Sequence, residues 1–310
     1  MLREGYTMNY AVIDLGSNTL RLSVYRAECD GFGTVISQKE VVGLAGYVCN
    51  NKLEPEGIQR ACEILQGFKE IAVRFAAEED IYLFATASLR GLDNEQQACD
   101  LIEQACGLLP EVLSGEEEAR LGFLGASHAV DCNDGILIDI GGASTELVLF
   151  REGRPVELVS LPLGCLSLYS GFVGKIIPTE NERRAIKKEI RKQFDRGIQW
   201  DISEALPLMI GVGGTVRAAH KLSRDLFVLP EGCALRAGHI KRILHKLKHN
   251  EDEIFRTVYK RIPERTLTIF PGLMILNEAI KRFDCKRLAV SHYGVREGYF
   301  IDRVLQGSTD

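Results

Sequence analysis

Apolar residues along the chain fall into short runs of β-forming residues and longer stretches with helical spacing. Residues 10–14 form an apolar run, and residues 20–25 alternate between apolar and polar, which is typical of strands. From 56 to 75, apolar residues recur with the spacing of an amphipathic helix. Further strands are predicted over 34–44, 81–85, 135–140, 146–150, 156–161, 208–212 and 287–290, and further helices over 94–106, 116–126, 178–193, 265–283 and 295–305.

Three of the predicted strands end in a turn rich in glycine and hydroxyl residues. The turns are Gly16-Ser17-Asn18-Thr19, Gly141-Gly142-Ala143-Ser144 and Gly213-Gly214-Thr215. The first two are each followed by a returning strand and the third opens a helix, so the pattern is a weak internal repeat. It predicts two related α/β domains. We place the first at 1–127, completed by a C-terminal helix at 298–310, and the second at 128–297.

The composition is that of an ordinary globular enzyme, with 45% hydrophobic and 26% charged residues. The net charge of −5 argues against a nucleic-acid-binding protein, which would usually carry a basic surplus. No apolar run is long enough for a membrane span, and residues 1–9 lack the apolar segment of a secretory signal. The 9 cysteines are scattered without a C-x-x-C pair, which is typical of reduced thiols in a cytoplasmic protein. The oligomeric state stays open, a homodimer included.

Glycine turns at strand ends can direct backbone N–H groups and hydroxyls at a phosphate. Asp14 precedes the first turn, and Asp139 and Glu146 flank the second, so these acids can face a divalent metal. The third turn opens a helix, whose N-terminus offers N–H groups to an anion. Ordinary turns are the alternative, because Gly, Ser and Asn are favoured there too. The recurrence of Asp-x-Gly at two strand ends strengthens the interpretation as phosphate loops. The interpretations as phosphate loops and as ordinary turns both stay open.

An acidic cluster, Ser-Gly-Glu-Glu-Glu, begins a predicted helix that Ser114 caps. Acids in a first helical turn also complement the helix dipole, without any catalytic role. A hydrolase needs one carboxylate that orients and deprotonates water. The cluster, with Glu117 at the third position after the cap, is the best candidate because the 6 histidines form no comparable motif.

Two sets of basic residues are candidates for contacts with a polyanion. Arg90 ends the segment ATASLR after a predicted strand, where a guanidinium can clamp a phosphate; a surface arginine with a packed stem is the alternative. Positive charge also follows the predicted helix 178–193, at Arg184, Lys187, Lys188 and Arg191. Such a run is usually a solvated face, and a track for a long polyanion is the functional alternative.

Taken together, these segments resemble the Ppx/GppA family of exopolyphosphatases and guanosine pentaphosphate phosphohydrolases. The matching segments, in the family's order, are DLGSNTLRL, ATASLR, LSGEEEARLGFLGA, DIGGASTELV, LPLGCLSL, GVGGTVRA and SHYGVREGYF. The resemblance is to the short form of the family. It implies an α/β fold of two actin-like (ribonuclease H-like) domains around an interdomain cleft, and metal-dependent hydrolysis of terminal phosphoanhydride bonds.

The resemblance also implies roles for individual residues. Glu117 occupies the place of the catalytic base, and Arg90 matches an arginine that contacts the phosphates. Asp139 and Glu146 match acids associated with a divalent metal, Mg²⁺ or another such as Mn²⁺, and the three glycine turns match the phosphate loops. At Ala143 the family usually has a glycine. If that position needs a positive φ, a methyl group costs about 1 kcal/mol there.

Inorganic polyphosphate is the first expected substrate, and guanosine pentaphosphate (pppGpp) is the alternative, because the same residues serve either. The basic helix mildly favours the long polyanion. A kinase would need a base pocket and an acceptor hydroxyl, and neither is visible in the sequence. A non-catalytic sensor of a phosphorylated nucleotide is an alternative from a different class, against which the presence of Glu117 and Asp139 argues.

Overall fold

The computed structural model describes residues 8–29, 31–202, 205–230 and 234–306. Residues 1–9, in which the sequence predicts no secretory signal, lie almost wholly outside these ranges. Residues 307–310, the last four of the predicted C-terminal helix, also lie outside them. No helix within them is long and apolar enough to cross a membrane.

The secondary structure alternates between strands and helices through most of the chain. The strands are β1 (Asn9–Leu15), β2 (Thr19–Glu28), β3 (Gly31–Val41), β4 (Val48–Cys49), β5 (Lys52–Leu53), β6 (Ile81–Ala85), β7 (Glu111–Val112), β8 (Gly135–Ile140), β9 (Thr145–Arg151), β10 (Arg154–Leu161), β11 (Leu208–Val212) and β12 (Arg287–Val290). The helices are α1 (Pro55–Ala72), α2 (Glu95–Cys106), α3 (Gly115–Ser127), α4 (Cys165–Phe172), α5 (Glu180–Gly197), α6 (Gly213–Phe227), α7 (Ala237–His249), α8 (Glu251–Arg261), α9 (Ile269–Arg282) and α10 (Val295–Phe300). A π-helical segment, Ile301–Gln306, continues α10.

The first sheet has the strand order β3-β2-β1-β6-β7. β2 pairs antiparallel with β1 and β3 antiparallel with β2, whereas β6 and β7 continue the sheet in parallel. Leu20, Leu22 and Val24 are fully buried along β2, as the alternation in the sequence predicts. β1 is buried along most of its length, which explains its continuous apolar run.

The second sheet repeats this arrangement, with the strand order β10-β9-β8-β11-β12. Here β9 and β10 return antiparallel, and β11 and β12 run parallel to β8. The internal repeat that the glycine turns indicate is therefore a repeat of sheet topology. The chain has the α/β architecture predicted from its sequence.

In both sheets the parallel strands end at one edge, and the predicted site segments follow these ends. Leu15 lies beside Ala85 in the first sheet, and Asp139 lies beside Val212 in the second. Ligands of open α/β sheets bind outside the carboxyl ends of the strands. Topology thus gathers candidate residues at the expected edge of each sheet.

The chain forms two compact units, one running to Glu117 and resuming at Arg296, the other spanning Glu118–Val295. In the first unit, α1 and α2 bury apolar side chains such as Leu65 and Ile102 against the sheet. In the second, α4 to α9 form a larger core with β8 to β12. It stays a prediction that residues 1–127, completed by 298–310, form one domain and residues 128–297 form another.

Differences between predicted and observed helices have local causes. The helix predicted from 178 begins at Glu180, because Thr179 caps it. The Thr179 hydroxyl accepts from the Glu182 N–H, and the Glu182 carboxylate accepts from the Thr179 N–H at 2.6 Å. The helix predicted from 265 begins at Ile269, because Pro263–Arg265 forms a 3₁₀ turn. The sequence prediction omits α4, α7 and α8.

Candidate active site

The first glycine turn, between β1 and β2, is held by main-chain hydrogen bonds. The Gly16 N–H donates to the Thr19 carbonyl over 3.2 Å. A Cβ at Gly16 would lie 2.9 Å from that carbonyl oxygen, so the turn is too tight for a side chain there. The Asn18 carbonyl accepts hydrogen bonds from the N–H groups of Val42 and Gly43, and the Ser17 carbonyl accepts one from Ala45. The turn therefore has a fixed backbone conformation, which a phosphate loop requires.

Asp14, at the end of β1, faces an arginine in the first unit. Arg296 Nε lies 3.9 Å from Asp14 Oδ2, and Arg296 also donates to Ser23 Oγ over 2.7 Å. Glu297 accepts a 2.7 Å hydrogen bond from the Tyr25 hydroxyl, and burial, with Glu297 nearby, raises the pKa of Tyr25 well above its usual value. Arg296 of the SHYGVREGYF segment thus lies beside the acid that precedes the first turn.

Arg90 has a structural contact that sequence reasoning did not anticipate. Its Nη1 donates to the Leu113 carbonyl over 3.1 Å. The Leu113 N–H donates in turn to the Ala85 carbonyl at the end of β6. Arg90 therefore orders the segment that enters α3, next to the predicted catalytic base.

Glu117 lies in the first turn of α3, and its N–H donates to Ser114 Oγ over 3.1 Å, which confirms Ser114 as the cap. Glu117 Oε1 accepts from Arg303 Nη2 over 2.9 Å. Arg303 also binds Glu111 at 3.0 Å and Asp302 at 2.6 Å. Desolvation opposes the charge of Arg303, but these acids outweigh it and raise its pKa. A permanently cationic side chain thus holds the Glu117 carboxylate in place.

The second glycine turn is cradled by the start of α4. The Cys165 N–H donates to the Gly141 carbonyl over 3.0 Å, and the Leu166 N–H donates to the Gly142 carbonyl over 2.9 Å. A Cβ at Gly164 would lie 2.1 Å from the Gly142 oxygen, so only glycine permits this approach. The LPLGCLSL segment, to which the sequence assigned no role, therefore shapes the second turn.

The third glycine turn begins α6 and packs tightly on two charged side chains. Gly213 has a φ of +78°, and a Cβ there would lie 2.3 Å from Asp139 Oδ1. At Gly214 a Cβ would lie 1.6 Å from Arg265 Nη2. The Thr215 hydroxyl donates to the Ile140 carbonyl over 3.1 Å. The positive φ therefore favours glycine at 213, whereas a side chain at 214 would displace the flexible end of Arg265. The turn brings Asp139 and Arg265 close together.

Asp139 and Glu146 are direct cross-strand partners on β8 and β9. Directly opposite residues share a face of the sheet, with Cβ atoms about 5 Å apart. Glu146 is buried rather than exposed at the mouth of the turn, and it accepts a 2.7 Å hydrogen bond from Ser160. Burial raises the pKa of Glu146 well above its usual value, and the charges of Glu118 and Asp139 raise it further. These three acids form a cluster of mutually repelling carboxylates.

Among the described residues, no group of three His, Cys, Asp or Glu side chains converges closely enough to hold a metal alone. Mg²⁺ needs no such group, because it usually binds one or two carboxylates and keeps several waters. Asp139 and Glu146 offer hard oxygen ligands. Burial is the main cause of the raised pKa of Glu146, and a divalent cation would neutralise the repulsion by Glu118 and Asp139 that raises it further. The donor set therefore fits Mg²⁺ or Mn²⁺ bound with a phosphate.

At Ala143, where the family usually has a glycine, the backbone does not have a positive φ. Ser144 beside it is buried, and a hydrogen bond from Ser144 lowers the pKa of Glu146 against the effect of burial. A methyl group at Ala143 therefore causes no backbone strain.

The basic residues of α5 are partly engaged in ion pairs. Arg184 pairs with Glu180 at 3.3 Å, and Arg191 pairs with the nearly buried Glu278 at 2.8 Å. Lys187 and Lys188, with both arginines, line a shallow surface depression. The helix thus carries cations at its surface, but Arg191 also serves the packing of α5 on α9.

The side chains of Glu118, Arg265 and Arg303 belong to these sites, but the sequence assigned them no individual roles. Glu118 lies within the acidic cluster, yet its burial distinguishes it from its neighbours only once the helix is packed. Arg265 and Arg303 reach Gly214 and Glu117 from distant parts of the chain. No local pattern marks either arginine.

The sequence matches the model of the Ppx/GppA phosphatase family over residues 23–307. It is 28% identical over 296 residues to the guanosine-5′-triphosphate,3′-diphosphate pyrophosphatase of Pseudoalteromonas atlantica, a match that covers 93% of this chain and 57% of that protein. The chain thus spans little more than half the length of this curated relative.

Two solved structures have the same fold as this chain. An exopolyphosphatase from Cytophaga hutchinsonii superposes with a TM-score of 0.84, at 22% identity, over 97% of this chain and 98% of that one. The Aquifex aeolicus member of the Ppx/GppA family superposes with a TM-score of 0.79, at 23% identity, over 98% of this chain and 100% of that one. The predicted α/β class is confirmed, and the chain has the fold of these Ppx/GppA-type structures.

Proposed function

The chain belongs to the Ppx/GppA phosphatase family, and we propose on this premise that it is an exopolyphosphatase. It releases terminal phosphate from inorganic polyphosphate in a reaction that depends on a divalent cation. Members of the family are phosphohydrolases that act on phosphoanhydride bonds, which is the enzyme class predicted from the sequence. One observation carries the proposal: in each sheet, glycine turns and acids lie at the carboxyl ends of parallel strands.

The first unit supplies the general base. Glu117 takes a proton from the attacking water, and its carboxylate is held for this purpose by Arg303. The Gly16–Thr19 turn donates N–H groups to phosphate oxygens. Arg90 contributes positive charge for the phosphates and orders the segment before Glu117.

The second unit supplies phosphate binding and the metal ligands. The turns Gly141–Ser144 and Gly213–Thr215 bind phosphate oxygens through main-chain N–H groups. Asp139 and Glu146 would hold Mg²⁺ or Mn²⁺, which would neutralise charge on the phosphate oxygens. Asp14 stays a metal ligand predicted from the sequence. Asp139 keeps its position because Gly213 leaves room for its carboxylate.

Hydrolysis of pppGpp is the second candidate function. The curated relative from Pseudoalteromonas atlantica, named for that activity, favours it. The basic face of α5 favours the longer polyanion, because a linear chain offers phosphates far from the bond that is cleaved. Both activities would use the same turns and acids.

Phosphate release from polyphosphate and from pppGpp, measured side by side with and without Mg²⁺, tests the proposal. We expect Mg²⁺-dependent release from polyphosphate at a higher kcat/KM than from pppGpp. The reverse order of kcat/KM would replace the first candidate with the second. No release from either substrate, together with measurable binding, would identify a sensor.

Neutralising the basic face of α5 is expected to weaken long polyphosphate selectively. Lys187→Gln with Lys188→Gln should raise KM for long chains by about two- to fivefold and leave tripolyphosphate unchanged, because exposed cations act over only about 10 Å at 0.1 M salt. Arg191 is left intact, because it pairs with Glu278. The measurement is KM as a function of polyphosphate chain length. An equal change in KM at all lengths would indicate that the basic residues of α5 form only a solvated face.

The proposed location is the cytoplasm. The 8 described cysteines are all free thiols, as expected for a reducing compartment. Assembly as a homodimer stays a prediction, which the mass of the protein in solution would test.

A further inference from the structure

A series of hydrogen-bonded side chains in the first unit joins Glu117 to the C-terminal segment. Arg303 Nη2 donates to Glu111 Oε1 over 3.0 Å and to Glu117 Oε1 over 2.9 Å, so one nitrogen bridges two carboxylates. Arg303 Nη1 donates to Asp302 Oδ2 over 2.6 Å. In α10, the Tyr299 hydroxyl donates to Glu111 Oε2 over 2.6 Å. Hydrogen bonds therefore run in series from Tyr299 through Glu111 and Arg303 to Glu117.

The first sheet fixes the start of this series. Phe84 on β6 lies beside Glu111 on β7 in parallel register. The Tyr299 ring stacks on Phe84 with the ring centroids 4.8 Å apart, and Tyr299 is only 3% exposed. Burial raises the pKa of Tyr299, and the hydrogen bond to Glu111 raises it further, so the hydroxyl keeps its proton and stays a donor at neutral pH. Glu111 is thus held by Tyr299 at one oxygen and by Arg303 at the other.

The C-terminal segment does not depend on Arg303 for its attachment. Phe300, Ile301 and Val304 are at most 3% exposed, and the burial of their apolar side chains stabilises the segment. The Arg303 side chain, in contrast, is 35% exposed. An ion pair with this exposure contributes little to stability, because water screens the charges and the ordering of long side chains costs entropy. The bridge between the two carboxylates therefore has a consequence other than stability.

That consequence is the orientation of the Glu117 carboxylate. A glutamate side chain rotates about several bonds, and the Glu117 N–H is fixed at the start of α3 by its hydrogen bond to Ser114. Arg303 adds a second fixed point at the carboxylate end of the same side chain. A carboxylate offers about four lone-pair sites, so acceptance from Arg303 leaves capacity to accept from a water molecule. A base fixed at both ends is held in a set place for proton transfer.

We propose that Tyr299, Glu111 and Arg303 form a positioning relay for the general base, in which each residue acts through the next. The inference rests on the proposed function, in which Glu117 takes a proton from water. The relay itself touches neither the substrate nor the attacking water. Because the same base serves polyphosphate and pppGpp, the relay raises kcat for either substrate.

Replacing Arg303 with methionine tests the last link of the relay. Methionine keeps an unbranched apolar stem and has no hydrogen-bond donor. We expect kcat to fall about tenfold, because displacement of a catalytic group by about 1 Å can lower the rate by up to about 10²-fold. KM should stay within about twofold, because Glu117 acts only in the transition state. Arg60→Met is the matched control, since Arg60 pairs with Glu63 at 3.1 Å in the same unit, and it should leave kcat unchanged.

A double-mutant cycle distinguishes positioning of the base from a general structural role. In the Glu117→Gln background, Arg303→Met should change kcat by less than about twofold, because the base is already lost. A fall of about tenfold in both backgrounds would overturn the proposal, since Arg303 would then act other than through Glu117. A normal kcat for Arg303→Met with Glu117 present would also overturn it.

Replacing Tyr299 with phenylalanine tests the first link. This variant loses the hydroxyl that binds Glu111 and keeps the ring that stacks on Phe84. We expect kcat to fall about threefold, as for the loss of one hydrogen bond. Adding Tyr299→Phe to Arg303→Met should cause no further fall. Additive losses would show that the two residues act independently and would overturn the relay.

Thermal unfolding provides a measurement that does not depend on turnover. The unfolding temperature of Arg303→Met should stay within about 3 °C of wild type, because the ion pairs of Arg303 are partly exposed. A large fall in this temperature, with kcat lowered equally in both Glu117 backgrounds, would make Arg303 a structural residue. A wild type that releases no phosphate from either substrate would refute the proposed function, and the relay with it. An active wild type with additive losses would refute the relay alone.

Discussion

Replacing Glu117 with glutamine is expected to lower kcat by roughly 10³-fold, within the range attributed to general acid–base catalysis, and to change substrate Kd by less than about threefold. Glutamine cannot take the proton from water. Its carbonyl oxygen can still accept the hydrogen bond that Arg303 donates to Glu117 Oε1, and the Ser114 cap uses only the main chain of residue 117. Single-turnover rates and equilibrium binding, measured separately, provide the two numbers.

Glu116→Gln is the matched control, because Glu116 is the exposed neighbour in the same helical turn. It should keep kcat within about twofold of wild type, as surface substitutions usually do. A near-normal kcat for Glu117→Gln would move the base to Glu116 or Glu118. A large rise in Kd with unchanged kcat would instead make Glu117 a binding residue.

Asp139→Asn is expected to reduce kcat by about 10²-fold or more and to raise the Mg²⁺ concentration needed for half-maximal rate. The free energy of unfolding, in contrast to kcat, should not fall. The negative charge of Asp139 is one of the causes that raise the pKa of the buried Glu146. A carboxyl whose pKa is raised on folding destabilises the fold above its unfolded pKa, so removing this charge should leave stability at neutral pH equal or higher.

Thermal unfolding with and without Mg²⁺ gives a readout independent of turnover. Wild type should be stabilised by the cation in proportion to the logarithm of its concentration, and Asp139→Asn should lose most of that shift. Asp131→Asn, at an exposed position before β8, is the control and should behave as wild type. A normal rate and a normal Mg²⁺ response in the Asp139→Asn variant would contradict the proposed metal site in the second unit.

The parts of the fold that local sequence determines were predictable. Continuous apolar runs identified β1 and β8, and glycine turns identified the ends of strands, because these features act within a few residues. The cap at Ser114 follows from the same kind of short-range chemistry. The amphipathic spacing of α7 and α8 was also present in the sequence, with Ile240, Ile243 and Leu247 on one side of α7, but the prediction did not use it.

The side chains that complete the sites depend on tertiary packing and could not be predicted in this way. Arg303 and Glu117 are 186 positions apart. Arg265 meets Gly214 only because α6 and the turn before α9 pack together. The burial of Glu146 follows from its pairing within the second sheet, where Ser160 on β10 lies opposite. The sequence thus indicated the acids and turns, while their partners required the fold.

The return of the C-terminal segment to the first unit also sets the order in which the protein can be completed during synthesis. The hydroxyl of Tyr25 binds a carboxylate 272 positions later, and the Tyr25 ring stacks on Phe300 at 4.8 Å. Residues 118–295 form one continuous unit, whose core can close as soon as that stretch has left the ribosome. The first unit lacks these partners until residue 300 has been synthesised, after the whole of the second unit. The unit that is begun first is therefore completed second, and Arg303, which holds Glu117, is made only after the core of the second unit.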